Sequence, residues 1–74
     1  MQGTMNCNVK LLGTTLALTK GQRVTLLEAT NLPARDDGRT VYFASPAHGD
    51  WSDGTPRDFD KSILLNPDDA TPDA

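Results

Sequence analysis

Short segments of alternating apolar and polar residues run along this chain. In residues 6 to 12 (NCNVKLL) apolar and polar side chains alternate, which is the pattern of a half-buried strand. Residues 23 to 29 (RVTLLEA) contain the β-branched residues Val24 and Thr25 and therefore favour a strand over a helix. The same criteria predict three more strands, at residues 15 to 18, 40 to 44 and 61 to 65.

Glycine and proline interrupt the chain too often for a long helix. A tight turn is predicted at residues 19 to 22, where Gly21 can adopt a positive φ, and a second turn at residues 36 to 38. Near the C-terminus, the sequence Asn66-Pro67-Asp68-Asp69 predicts the start of a helix, with asparagine as the cap and proline at the first position. This helix has room for about one turn before the next proline.

Five short strands with connections of uneven length are typical of a small antiparallel barrel or sandwich. A closed barrel also removes the exposed edges that a small open sheet would carry. We therefore predict an all-β fold, a five-stranded antiparallel barrel with a short C-terminal helical turn. The single domain is expected over residues 6 to 69, with flexible ends at residues 1 to 5 and 70 to 74.

One part of the sequence resembles a known family. The stretch LALTKGQRVTLLEAT, residues 16 to 30, resembles the part of SH3 domains where a strand enters a turn around Lys-Gly and leaves as an apolar strand. Residues 61 to 69 (KSILLNPDD) are similar to the last strand and helical turn of SH3-like barrels. The resemblance implies an SH3-like barrel. It does not extend to recognition of proline-rich peptides, because no aromatic residue precedes Tyr42 to line the groove used for that purpose.

The length and the cysteine count limit how this domain can be stabilised. A chain of 74 residues buries only about 60% of the surface that its unfolded form exposes. Cys7 is the only cysteine, so no disulfide can form within the chain. A lone cysteine fits a reducing compartment, where a buried thiol acts as a small apolar side chain.

The sequence predicts a cytoplasmic protein that does not enter a membrane. The first ten residues have neither an early positive charge nor an apolar run, so we expect no secretory signal. No later segment approaches the roughly 20 apolar residues of a membrane helix.

The net charge of −3 disfavours nucleic acid as a partner. Affinity for phosphate backbones comes largely from clustered lysine and arginine, and the seven basic residues of this chain are scattered singly. A nucleic-acid or ribonucleoprotein partner stays as the alternative function. It would require five basic residues to gather on one face, namely Lys10, Lys20, Arg23, Arg35 and Arg39.

Residues 48 to 60 (HGDWSDGTPRDFD) hold the only histidine, the only tryptophan and four of the ten carboxylates. A calcium loop that starts at Asp50 fails, because its fifth position is Gly54 and its twelfth is Lys61. A zinc site would need several cysteine or histidine ligands at defined spacing. We therefore predict no metal and no cofactor.

Catalysis also finds little support. A nucleophilic mechanism would need His48 next to Ser45, Ser52 or Cys7, and nothing in the order of these residues marks a nucleophile turn. A small barrel also offers little concave volume for a substrate. We expect that the protein is not an enzyme, and an enzyme formed by oligomerisation around a shared pore is the least favoured alternative.

Two interpretations remain for residues 48 to 60. Their glycine, proline, aspartate and serine residues favour an ordered loop, in which Trp51 and Phe59 are apolar pins. The other interpretation is a binding loop, because tryptophan, tyrosine and arginine are enriched at interface hot spots. The candidate patch then consists of Tyr42, Trp51, Arg57, Asp50 and Asp53.

The direction of Tyr42 affects this choice. Tyr42 and Phe43 point to opposite faces of one strand, so Tyr42 points outward if Phe43 packs inside. The same outward face also fits a homodimer seam, which would enlarge a small core. The sequence thus predicts a small non-enzymatic module for protein interaction, with a protein partner or a second copy.

Overall fold

The computed structural model describes residues 1–30 and 38–73, and this part of the chain is all-β, as predicted. The turn predicted at residues 36 to 38 begins outside the described residues, and Arg35 also lies outside them. The described part contains seven strands, which are β1 (Gln2–Met5), β2 (Val9–Lys10), β3 (Ala17–Leu18), β4 (Arg23–Glu28), β5 (Tyr42–Pro46), β6 (Ile63–Leu64) and β7 (Ala70–Pro72).

Five of the strands form one antiparallel sheet in the order β6-β5-β4-β1-β7, and β2 pairs with β3 in a separate hairpin. The central strand, β4, is the longest, with six residues. Its side chains alternate between the two faces of the sheet, so Val24 and Leu26 are buried whereas Leu27 is exposed. We call the face of Val24 and Leu26 the inner face and the face of Leu27 the outer face.

The core lies between the inner face and the hairpin. The sheet, the hairpin and the loops all contribute to one buried apolar cluster, and Val9 and Leu11 of the hairpin pack against it. The cluster consists of Met5, Leu16, Leu18, Val24, Leu26, Ala44, Trp51, Ile63, Leu65 and Ala70.

Both ends of the chain differ from the expectation of flexible termini outside a domain at residues 6 to 69. Gln2–Met5 form β1, which pairs with β4 on one side and with β7 on the other. Close approach of β7 depends on Gly3, because a Cβ atom there would lie 2.6 Å from the carbonyl oxygen of Thr71. The pairing partners of both ends are distant in sequence, so local patterns did not reveal them.

The expected barrel and the C-terminal helical turn are both corrected by the structure. Among residues 1–30 and 38–73, the sheet ends at β6 and β7, and no pairing joins these two edges. Both edge strands are short, and Pro72 in β7 has no N–H to donate. Residues 66 to 69 form a turn, in which the Asp69 N–H donates to the Asn66 carbonyl and the Asp69 carboxylate accepts from the Asn66 N–H. The chain then enters β7 instead of a helix.

An ion pair joins the C-terminal end of the sheet to its centre. The Arg23 guanidinium donates to both carboxylate oxygens of Asp73, at 2.9 and 2.5 Å, and also to the Thr4 hydroxyl. The hydrogen bonds from Arg23 lower the pKa of Asp73 below its ordinary value. A carboxylate whose pKa is lower in the folded state than in the unfolded state stabilises the fold at pH values above its unfolded-state pKa. This stabilisation is lost as the pH falls through the folded-state pKa.

We expect Asp73→Asn to lower the free energy of unfolding at neutral pH and to make no difference below the folded pKa of Asp73. The effect at neutral pH should be small and should shrink with added salt, because both side chains are nearly half exposed. Urea unfolding of both proteins across the acidic pH range measures it. Asp50→Asn, at an exposed position outside the sheet, is the control. Equal stability of Asp73→Asn and wild type at neutral pH would contradict the prediction.

Candidate functional site

Trp51 lies in the core and not on the surface. Its side chain is 2% exposed and belongs to the buried apolar cluster. Backbone hydrogen bonds hold the surrounding loop, since the Trp51 N–H donates to the Thr55 carbonyl at 2.9 Å and the Ser52 N–H to the Ala17 carbonyl of β3 at 2.9 Å. Trp51 is therefore a structural pin.

The turn after Trp51 is ordered by its own polar side chains. The Thr55 N–H donates to the Asp53 carboxylate at 2.9 Å, and Gly54 adopts a φ of 89°. This hydrogen bond lowers the pKa of Asp53 below its ordinary value. Asp53 thus caps a turn, which is a structural use of a residue from the candidate patch.

Tyr42 belongs to the inner side of the sheet. Register places Leu26 opposite Ala44 and Val24 opposite Pro46, so the even-numbered residues of β5 face the core. Tyr42 is half-buried and packs against the core cluster. Phe43 consequently faces outward, which is the reverse of the arrangement that would have placed Tyr42 in a binding patch.

The structure does not bring the five candidate residues together as one exposed patch. Trp51 is buried and Tyr42 packs on the core, whereas Asp50 and Asp53 are both exposed and Asp53 caps a turn. Arg57 is half-buried and donates to the Ala47 carbonyl at 3.2 Å.

Phe59 differs from its predicted role as a second pin. Its side chain is 86% exposed, and the Arg57 guanidinium lies 4.5 Å from the centre of its ring. The pin interpretation therefore holds for Trp51 and is wrong for Phe59. Sequence patterns do not show which of the two aromatic residues is buried, because both lie in the same loop and neither belongs to an alternating strand.

Of the groups that a nucleophilic mechanism would need, Ser52 and Cys7 are hydrogen-bonded to other side chains. His48 is exposed, the Ser52 hydroxyl donates to Gln22, and the Cys7 thiol donates to the Asp69 carboxylate at 3.5 Å. Burial and this hydrogen bond to Asp69 raise the pKa of Cys7, which disfavours the reactive thiolate. Cys7 is half-buried and outside the core cluster, so it differs from the predicted core thiol.

Within residues 1–30 and 38–73, no group of three or more histidine, cysteine, aspartate or glutamate residues is arranged to hold a metal ion. No helix in the same part of the chain is long and apolar enough to cross a membrane.

Two of the five basic residues invoked for nucleic-acid binding are already in ion pairs. Arg23 pairs with Asp73, and Arg39 pairs with Asp68. A guanidinium that is bound to a carboxylate is less available to a phosphate, because the two anions compete for the same donors. The geometry of the described part therefore gives the nucleic-acid alternative no support.

The outer face of the sheet carries an apolar row, in which Leu27 and Leu64 are exposed and Phe43 between them is half-buried. Leu27 on β4 lies opposite Phe43 on β5, and Phe43 lies opposite Leu64 on β6. Leu27 is 70% exposed and Leu64 is 48% exposed. We call these three residues the apolar row. Such a row is unusual on the solvent face of an antiparallel sheet, which is normally polar.

A shallow groove of about 280 Å³ lies beside the apolar row. The outer face forms one wall, with Leu27 and Phe43, and the segment that contains Arg57, Phe59 and Lys61 forms the other. Met1 also lines the groove. We call this feature the outer groove. The row and the groove together are the candidate functional site.

One signal in the sequence could have indicated this site. Leu26 and Leu27 are adjacent apolar residues in β4, and adjacent strand residues point to opposite faces. One of the two leucines must therefore face away from the core. The same argument applies to Phe43 and Ala44 in β5 and to Ile63 and Leu64 in β6.

Comparison with known proteins identifies no relative. No family model, no curated protein and no solved structure matches the chain.

We expect Trp51→Ala to destabilise the fold by about 3 to 5 kcal/mol, because it removes the largest buried side chain of the core. Trp51→Phe should lower the free energy of unfolding by clearly less than Trp51→Ala. The indole N–H is buried without a hydrogen-bond partner among the described residues, so its removal breaks no hydrogen bond. Urea unfolding followed by circular dichroism measures both variants. A Trp51→Ala protein within about 1 kcal/mol of wild type would show that Trp51 is not a core residue.

Proposed function

We propose that this protein is a non-enzymatic binding module that contacts another protein chain through the outer face of its sheet. The observation that carries the proposal is the apolar row of Leu27, Phe43 and Leu64, together with the exposed Phe59 beside it. These side chains come from three adjacent strands and one loop, so they form a surface and not isolated exposed residues.

The energetics of the row favour protein contact. Burying one leucine or phenylalanine side chain contributes about 1.5 to 3 kcal/mol, so covering the row and Phe59 would supply several kcal/mol. Contiguous apolar patches on small proteins commonly mark interaction sites. Aromatic residues are enriched at the centres of such interfaces, where Phe43 and Phe59 would lie.

The rest of the molecule supports binding over catalysis. Trp51 and Asp53, the most distinctive residues of the loop, stabilise the structure. The outer groove, at about 280 Å³, lies just below the range of about 300 to 1,000 Å³ of typical small-molecule sites and is large enough for a side chain of a partner.

Two finer expectations stay predictions. The resemblance of residues 16 to 30 to SH3 domains concerns topology, and the open sheet order gives it no added support. The cytoplasmic location follows only from the sequence patterns discussed above. Neither is needed for the proposed contact surface.

We expect Leu27→Asp to weaken protein binding at least about tenfold, because it would bury an unpaired carboxylate in the interface. Peptides selected from a random displayed library with the wild-type protein as bait provide the ligands, and calorimetry measures their affinity. Leu12→Asp is the matched control, since Leu12 is 91% exposed but lies in the turn between β2 and β3. Binders that tolerate Leu27→Asp and lose affinity with Leu12→Asp would overturn the proposed surface.

A further inference from the structure

Phe59 is exposed but held in a defined position. It lies in a turn in which the Asp60 N–H donates to the Asp58 carboxylate at 3.0 Å and the Lys61 N–H donates to the Asp58 carbonyl at 3.0 Å. The Arg57 guanidinium lies against the ring. An apolar side chain that is already ordered loses little conformational entropy on binding. We call residues 58 to 60 the Phe59 knob.

The knob combines an aromatic ring with negative charge. Asp58 and Asp60 flank Phe59 in sequence, and both are exposed. Any surface that receives the knob must therefore be apolar at its floor and positive at its rim.

The outer groove has this character. Leu27 and Phe43 line it as apolar residues, and its charged lining residues within the described part of the chain are Arg57 and Lys61, both cationic. The protein as a whole has a net charge of −3, so a groove whose charged side chains are both cationic differs from the average surface. The knob and the groove are complementary in both apolar character and charge.

The knob and the groove are also neighbours on one surface. Phe59 is the ring of the knob and also lines the groove, and Lys61 of the groove directly follows the knob in the chain. A two-fold symmetric contact uses the same surface of both copies, so the knob of each copy can enter the groove of the other. Two complementary features that lie side by side on one surface fit such a reciprocal contact.

From this geometry we infer that the occupant of the outer face is a second copy of the chain, with reciprocal insertion of the two Phe59 knobs into the two outer grooves. The inference rests on the proposed function and names its partner. A standard interface takes about 800 Å² from each partner, which is about a sixth of the 4792 Å² surface of this chain. Association would also stabilise a domain that is small and has no internal disulfide.

Sedimentation equilibrium tests the inference with variants that remove one half of the contact. Wild type should dimerise as its concentration rises. Phe59→Ser removes the knob, Leu27→Asp blocks the groove, and each variant alone should remain monomeric. The control Leu12→Asp should dimerise like wild type.

Mixing the two monomeric variants gives the sharpest result. The mixture retains one intact knob, on the Leu27→Asp chain, and one open groove, on the Phe59→Ser chain, which keeps Leu27, Phe43 and Lys61 and lacks only the Phe59 ring. We therefore expect a heterodimer that is weaker than the wild-type dimer because it has one contact instead of two. Circular dichroism and Trp51 emission verify that both variants are folded, as expected for substitutions at exposed positions.

Lys61→Glu tests the charge of the groove without touching its apolar floor. It should weaken the dimer, and added salt should weaken the wild-type dimer as well. Dimerisation that is unchanged by Lys61→Glu, Phe59→Ser and Leu27→Asp would overturn the inference by placing the contact elsewhere.

A wild-type protein that is monomeric at every concentration would also overturn the second-copy inference. If peptide binding is still lost in Leu27→Asp, the proposed function stands and the occupant is an apolar, acidic segment of another protein. If peptide binding ignores Leu27→Asp as well, the proposed function and the inference both fail.

Discussion

Burial of Trp51 is the constraint on which the rest of this small fold depends. The core cluster draws side chains from the five-stranded sheet and from the separate hairpin of β2 and β3, and Trp51 is its largest member. No strand pairing joins the hairpin to the sheet within the described residues, so apolar contact and loop hydrogen bonds must hold the two together. Without Trp51 the core would lose its largest buried side chain. No disulfide within the chain could compensate for the lost stability, since Cys7 is the only cysteine.

This constraint also determines which surface is left for binding. Because the loop of residues 48 to 60 contributes its tryptophan to the core, the loop cannot offer it to a partner. The inner face is covered, whereas the outer face retains Leu27, Phe43 and Leu64 in one row. The apolar row is therefore a consequence of sheet geometry, and the loop adds the exposed Phe59 beside it.

Much of the fold could be predicted because its central strand has a strong local pattern. The strand predicted at residues 23 to 29 corresponds to Arg23–Glu28, and the predicted turn at residues 19 to 22 contains Gly21 at a φ of 86°. The sequence does not predict β1, because Gln2–Met5 contain a glycine and lack a strong apolar alternation. It does not predict β7 either, because Ala70–Pro72 are only three residues and end in a proline. Asn66 and Pro67 suit a turn as well as a helix start, and pairing with β1 decides between them.

The candidate site was harder to predict, for a physical reason. Trp51 and Phe59 occur in the same polar loop, and only the tertiary packing decides that one is buried and the other exposed. The direction of Tyr42 and Phe43 depends on the register between β4 and β5, where a shift of one residue would exchange the two faces. Sequence patterns identify an alternating strand but not its register with a partner.

The emission spectrum of Trp51, measured with iodide quenching, tests the central claim most directly, because this is the only tryptophan of the chain. A core tryptophan predicts blue-shifted emission that iodide does not quench in the folded protein and that becomes red-shifted and quenchable in urea. Red-shifted emission with full quenching in the absence of urea would contradict the account. The loop would then carry an exposed tryptophan, and the outer face would lose its standing as the principal contact surface.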